Sequence, residues 1–184
     1  MQSIFESIII VLRCKYYSLS SFIFHADTGS AIASSTYLND TARWGPENAI
    51  DGLWSSSPGY LFRSNEEDMP WIQWHLPKST NVAGIMISNR NSDGGELLKH
   101  VEIRAGSAFL DKSLGFKGKI NINELCGTFV GPGSDRRVYT VMCEKEILAD
   151  YVSLQILDLK ATLQINELEI ITKAQGMIFN YAHQ

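Results

Sequence analysis

Residue-by-residue alternation sets the tightest limit on what this chain can fold into. In Val101-Glu102-Ile103-Arg104-Ala105, and again in Val152-Ser153-Leu154-Gln155-Ile156, apolar and polar side chains swap at every step. Successive strand side chains point to opposite faces, whereas helical ones recur about every 3.6 residues, so the pattern predicts half-buried strands. Clusters rich in Gly, Pro, Asn, Ser and Asp interrupt the chain at "WGPEN", "SSSPGY", "NSDGG" and "VGPGSD". Each reads as a turn. No long segment sustains a helical period, and nothing repeats at solenoid spacing. Many short strands joined by frequent turns point to an all-β sandwich or barrel.

A chain of 184 residues is long enough for one domain with a substantial core. Its 45% hydrophobic and 20% charged residues exclude a disordered or collagen-like chain. Nucleic acid is excluded as a partner on charge: the net charge is −4, and the 16 Lys and Arg are dispersed rather than striped. Of the cysteines Cys14, Cys126 and Cys143, none forms a CxxC pair, which argues against structural zinc. Cys126 and Cys143 flank a Gly-rich turn and either close a disulfide or stay as two buried thiols. A bridge there would add roughly 3 kcal/mol and imply an oxidising compartment.

At the N-terminus, "SIIIVL" from Ser7 to Leu12 is preceded by Glu6 and followed by Arg13 and Lys15, the reverse of a secretory leader. It also falls short of the roughly 20 apolar residues of a membrane span. A second run, "LSSFIF" from Leu19 to Phe24, follows Lys15 and leads into "HADTGSA". Residues 1–30 read as a leader or poorly assigned extension, with an extra helix or strand packed on the domain as the alternative. Residues 173–184 read as a tail.

One strand breaks phase. In "TLQINELEI", Leu163 and Ile165 are apolar at odd positions, whereas Leu168 and Ile170 are apolar at even ones. A β-bulge at Asn166-Glu167 would return both pairs to the core and turn the Glu167 carboxylate aside. The alternative is that the strand leaves its sheet there and Glu167 faces water.

The segments "GSAIASS", "ENAIDG", "PWIQWHL", "VAGIMISNR", "HVEIRAG", "CGTFVG", "VMCEKE", "YVSLQI" and "LQINELEI" occur in an order that resembles the F-type lectins (fucolectins), within the discoidin-like, coagulation-factor C-type fold. The likeness runs from about Ala31 to Thr172. It implies an antiparallel jelly-roll β-sandwich with ligand-binding loops at one end. It also implies a structural calcium between the Asn48–Leu53 loop and the Asn166–Ile170 strand. Asp51 and Glu167 would supply carboxylates, and Asn48, Leu53 and Asn166 carbonyls, toward the oxygen-rich shell calcium needs. A further serine ligand is not assigned among Ser55, Ser56, Ser57 and Ser64. Asn166 stands where the family has a cysteine. Otherwise Asp51 caps the turn before Gly52 and Glu167 pairs with a lysine.

The resemblance also implies a sugar site on the hairpin "NRNSDGGELLK", where an arginine sits at the end of an apolar strand before two glycines. Fucose-binding members use a histidine, an Arg-x-Asp motif and a second basic residue, because cationic donors can grip sugar hydroxyls. Arg90 matches the first arginine. Ser92 replaces the aspartate, Leu97 falls where the second arginine belongs, and Asp93-Gly94 replaces the adjacent cysteines of many members. Arg63 is the nearest position to the missing histidine. Ordinary fucose binding is therefore not expected, which leaves open a different glycan, gripped by Arg63 and Arg90 and stacked on Tyr60 or Phe62. Alternatively Arg90 pairs with Asp93 or Glu96 and the loop binds nothing.

No enzyme is expected. His25, His75, His100 and His183 lack metal-ligand spacing, and neither a nucleophile elbow nor a glycosidase carboxylate pair is visible. Trp71 and Trp74 read as core, and Trp54 as core or stacking platform. The rival function is binding to a protein or phospholipid surface through an exposed Tyr60-Leu61-Phe62 spike, which the acidic Asn65–Asp68 run would oppose at an anionic membrane. Asn39-Asp40-Thr41 is the one glycosylation sequon, consistent with secretion. The expectation is a secreted, calcium-stabilised lectin-like module with glycan or glycoprotein partners.

Overall fold

The computed structural model describes residues 22–25, 29–54, 61–111 and 118–173. Among the described residues nine strands carry the fold: β1 (Phe22–His25), β2 (Ser30–Ala33), β3 (Phe62–Arg63), β4 (Trp71–Ser88), β5 (Val101–Gly106), β6 (Glu124–Phe129), β7 (Val138–Ile156), β8 (Gln164–Ile165) and β9 (Glu167–Lys173). Helical structure among the described residues is limited to α1 (Thr41–Trp44) and short 3-10 turns. The main sheet runs β1-β9-β4-β7-β5-β6, with β2 also on β4, while β3 and β8 form a separate pair. The described pairings are antiparallel, and the architecture is the expected all-β sandwich.

Two long strands turn one sheet into a sandwich. The first stretch of β4, Trp71–His75, lies beside β2 and the end of β7; the second, ending at Ser88, lies beside β9 and the beginning of β7. Register shifts between His75 and Thr80 and between Val82 and Gly84 mark the bend. Irregularities of that kind let a strand change direction without leaving its partner. The disulfide joins Cys126 of β6 to Cys143 in the other half of β7 (S–S 2.04 Å), so it staples strands that do not pair.

Alternation places Val101, Ile103, Ala105, Val152, Leu154 and Ile156 in the core as expected. Their polar neighbours are a surprise, since Glu102, Ser153 and Gln155 are buried too. The described parts of the segment between β5 and β6, around Leu110 and Ile120, cover that face, and the strand side chains satisfy their backbone. Gln155 Oε1 accepts from Ile120 N–H at 2.7 Å, and Gln73 Oε1 from Leu110 N–H at 2.8 Å. Glu102 is met by Arg104 and Lys119, which hold its carboxyl below the usual range although burial alone would raise it.

The phase break at Asn166 is real, but it is not a bulge. The chain leaves β8, paired with β3, and enters β9, paired with β4. Asn166 N–H donates to Ser88 O at 2.9 Å at the crossing. Moving from one sheet to another resets which face is inward, so Leu163, Ile165, Leu168 and Ile170 all reach the core. Glu167 does not face water; it is 1% exposed.

Two further expectations change. Phe22–His25 runs antiparallel to Ile170–Lys173, so part of the N-terminal extension is an edge strand. The proposed spike is not a spike: Leu61 and Phe62 are buried in the core, and Tyr60 lies outside the described residues, as does the 174–184 part of the tail.

Candidate functional site

The crossing at Asn166 gathers two groups of polar side chains at one end of the sandwich. The first is acidic. After the 3-10 turn Pro46–Ala49, Gly52 takes φ 75°, a left-handed conformation glycine adopts without strain, and the chain reverses so that Asp51 Oδ1 caps the Leu53 N–H at 2.8 Å. This loop carries the exposed Asp51 to the buried Glu167. Burial first, and the neighbouring Asp51 carboxyl second, push Glu167 up to about 8. Both Glu167 oxygens and Asn166 Oδ1 are enclosed without a hydrogen-bond donor. Asp51 thus caps its turn, as one sequence alternative held, but among the described residues no lysine meets Glu167.

The other expected ligands lie around this pair. Asn48 donates its amide to Arg43 O at 3.1 Å, and Leu53 is exposed on the loop. Glu169, one pleat further along β9, is raised by burial and eased by the Trp54 indole N–H. Trp71 and Trp74 are core, whereas Trp54 is 44% exposed. Among the described residues no three His, Cys, Asp or Glu side chains converge on one metal-sized point, so a cation here would need amide or backbone oxygens as well. Of the four candidate serines, Ser64 is buried and donates to Asn65 O at 2.8 Å; the other three lie outside the described residues.

The second group is basic and begins two residues past the end of that pairing. Arg90 Nε donates to Ser92 Oγ at 2.8 Å, so the serine orients the arginine in place of the aspartate. Arg90 Nη1 donates to Gln164 Oε1 at 3.0 Å, and Gln164 Nε2 to Gly94 O at 2.5 Å. Gln164 is directly opposite Arg63 in the β3–β8 register, and its buried side chain bonds to Arg90. No ion pair ties Arg90 to Asp93 or Glu96 among the described residues.

The hairpin is braced from within and behind. Asn89, fully buried, donates to Gly95 O at 2.8 Å and Ser134 O at 3.0 Å, and accepts from Arg90 N–H. Gly94 takes φ 111°, and Gly95 comes so close to Asp135 that a Cβ would stand 2.5 Å from its backbone nitrogen. The two glycines therefore do different work: one turns the chain, the other lets it dock on the 131–137 loop.

Three contributors were missed in the sequence. The Arg63 guanidinium lies 4.0 Å from the Tyr37 ring, which holds the arginine rather than offering the sugar-stacking platform expected of Tyr60 or Phe62. Phe62 cannot serve, being wholly buried. Gln164 had a faint signal, a polar residue just before the phase break. Arg136, in the "SDRR" turn, reaches the hairpin with its N–H on Arg90 O at 2.8 Å and its Nε on Asn91 O at 3.0 Å.

The profile of the F5/8 type C domain matches residues 30–169. The chain belongs to the F5/8 type C family. Solved structures share the fold of this F5/8 type C domain. A fucolectin from striped bass (Morone saxatilis) serum is similar with TM-score 0.67 and 24% identity over 79% of this chain, which spans 47% of that longer one. A fucose binding module from Streptococcus pneumoniae is similar with TM-score 0.60 and 18% identity, covering 85% of this chain and 98% of that one. A family 32 module from C. perfringens, solved in complex with galactose, gives TM-score 0.58 and 18% identity over 78% of this chain and 93% of its own. No curated protein sequence matches this F5/8 type C domain. At such identities the likeness establishes the fold, and the ligand has to be argued from the side chains.

Proposed function

We propose that this chain is a secreted carbohydrate-binding module whose ligand end is organised by calcium. The observation that carries the reading is Arg90: a guanidinium at the tip of a braced hairpin, oriented through Nε and Nη1, with Nη2 left without a partner among the described residues. Orientation before binding lowers the entropy a ligand must repay. The solved relatives described as fucose-binding or galactose-bound support a sugar as the ligand class. Replacing a carboxylate by Ser92 and a basic residue by Leu97 removes charge-assisted contacts worth roughly 1.5–3 kcal/mol each, which argues against ordinary fucose binding.

Calcium fits the acidic group because Glu167 is buried with two donorless oxygens, Asp51 stands beside it, and Asn166 Oδ1 is likewise free. Asp51, Glu167, Asn48, Leu53 and Asn166 would hold the ion through side-chain and backbone oxygens. Bound there, it would supply positive charge to two carboxylates and fix the loop to the strand. Secretion is supported by the Cys126–Cys143 bridge. A second reading, docking to a protein or lipid surface, draws on different residues from the buried Leu61 and Phe62: Leu38, Leu53 and Trp54 stand exposed at the same end.

The deciding experiment is a glycan array probed with the purified chain in calcium and in chelator, with Arg90→Ala beside it and liposomes as a separate arm. Calcium-dependent glycan binding abolished by the substitution is the expected result. Silence on the array from a folded protein that binds liposomes would replace it with the surface reading.

A further inference from the structure

Three guanidiniums stand at the ligand end, and none has an acidic partner among the described residues. Arg90 bonds to a hydroxyl and an amide. Arg136 Nε bonds to a backbone carbonyl. Arg63 lies over the Tyr37 ring, and its enclosed Nε finds no acceptor at all. Several cations elsewhere do find acids: Arg104 and Lys119 share Glu102, Lys145 meets Glu124, and Lys99 meets Asp158. Asp135, next to Arg136 in sequence, is taken up by the Gly95 N–H at 2.7 Å.

The inventory of acceptors is equally one-sided. A neutral sugar hydroxyl both donates and accepts, so a site for neutral sugars needs acceptors as well as donors. Here Gln164 spends Oε1 on Arg90 and Nε2 on Gly94 O, and Ser92 Oγ already accepts from Arg90. Beside the exposed Asp93 and Glu96 of the hairpin, the three guanidiniums thus present donors whose own local acceptors are already spent. Such a surface matches a group that only accepts, and planar guanidinium forks suit carboxylate or sulfate oxygens best. Backbone geometry agrees: Arg136 is held at φ 59°, a region uncommon for non-glycine residues, while its N–H and Nε are fastened to consecutive hairpin residues.

Resting on the carbohydrate reading above, we propose that this end binds an anionic glycan, with Arg63, Arg90 and Arg136 gripping a carboxylate or sulfate substituent. Gln164 acts as a positioning residue that holds Arg90 opposite Arg63.

The test compares one disaccharide in four forms, unsubstituted, sialylated, glucuronylated and sulfated, by calorimetry on the whole chain in calcium at low and high salt. An acidic form should bind about tenfold or more tightly than the neutral one, with the advantage shrinking in salt. The sialyl and glucuronyl arms against the sulfated arm tell carboxylate from sulfate. Arg136→Gln, on the surface, should remove most of the acidic preference without moving the melting temperature. Gln164→Glu would set a buried carboxylate against Arg90 and should abolish acidic binding, with a lowered melting temperature because the Nε2 donor to Gly94 O is lost. Equal affinity for neutral and acidic forms would overturn the anion grip and leave the lectin reading standing. Binding of none by folded protein would overturn both, as would binding to anionic liposomes that the free acidic sugars do not compete.

Discussion

The buried carboxylate makes a quantitative prediction for the calcium-free protein. Glu167 is displaced from an ordinary 4.5 to about 8 in the fold. At about 1.4 kcal/mol per pH unit that displacement corresponds to at most roughly 5 kcal/mol, and the coupling of Glu167 to its neighbouring carboxyl sets a working range of roughly 3–5 kcal/mol. The sign follows from proton counts. Below about 4.5 both states hold the proton and nothing is lost. Between there and about 8 the unfolded chain releases it while the folded chain keeps it, so stability falls as pH rises. In chelator, melting temperature should drop by on the order of 10 °C between pH 5 and pH 8. Glu167→Gln should flatten that slope, because a neutral amide pays no ionisation cost. Excess calcium should flatten it too, and should do so for the parent but not further for the variant. Differential scanning fluorimetry across pH, in chelator and in calcium, reads all four conditions. A chelator profile that is level with pH, or a slope that Glu167→Gln leaves intact, would refute the claim that this carboxyl is stored uncompensated in the fold.

Two further outcomes test the scaffold behind the site. Gly95→Ala would drive a methyl against the Asp135 backbone and side chain, at 2.5 and 2.6 Å, so urea unfolding should show a loss of roughly 1–3 kcal/mol together with weakened glycan binding. Replacing Cys126 and Cys143 together by alanine opens a loop of sequence separation 17 and should cost roughly 3 kcal/mol, read by the same method; an unchanged midpoint would mean the bridge closes no entropy in the unfolded chain.

Much of the fold was legible because alternation reports burial directly: Val101, Ile103, Leu154 and Ile156 went where their period placed them. Gln155 and Glu102 did not, because period two tells which face a residue is on and says nothing about what later covers that face. The hairpin arginine was legible for a similar reason, as a charge at the end of an apolar strand. Its partners were not. Gln164 is about seventy residues away in sequence and Arg136 about forty-five, and contacts at such separation arise from strand order, which local patterning does not encode. The Tyr60-Leu61-Phe62 spike failed by the converse route. Leu61 precedes and Phe62 begins a two-residue strand whose pairing with β8 draws them inward, and no local signal distinguishes that from a tip.

The phase break in "TLQINELEI" ties these observations together. Had the strand merely bulged, Glu167 would have stayed in one sheet and could have turned toward water. Because the chain changes sheets at Asn166, its next residue must enter β9 on the packed side, opposite Ser88. A carboxylate forced inward there needs a countercharge, and the Asp51 loop brings another acid rather than a base. The same crossing leaves Gln164, two residues earlier, in the β3–β8 pair opposite Arg63 and against Arg90. The acidic and basic groups are thus the two sides of one backbone step, joined by the Asn166 N–H on Ser88 O. Whatever compensates Glu167 also fixes where Gln164, and through it Arg90, can stand, so ligand affinity at the hairpin should follow occupancy of the acidic group even though no ligand atom reaches it.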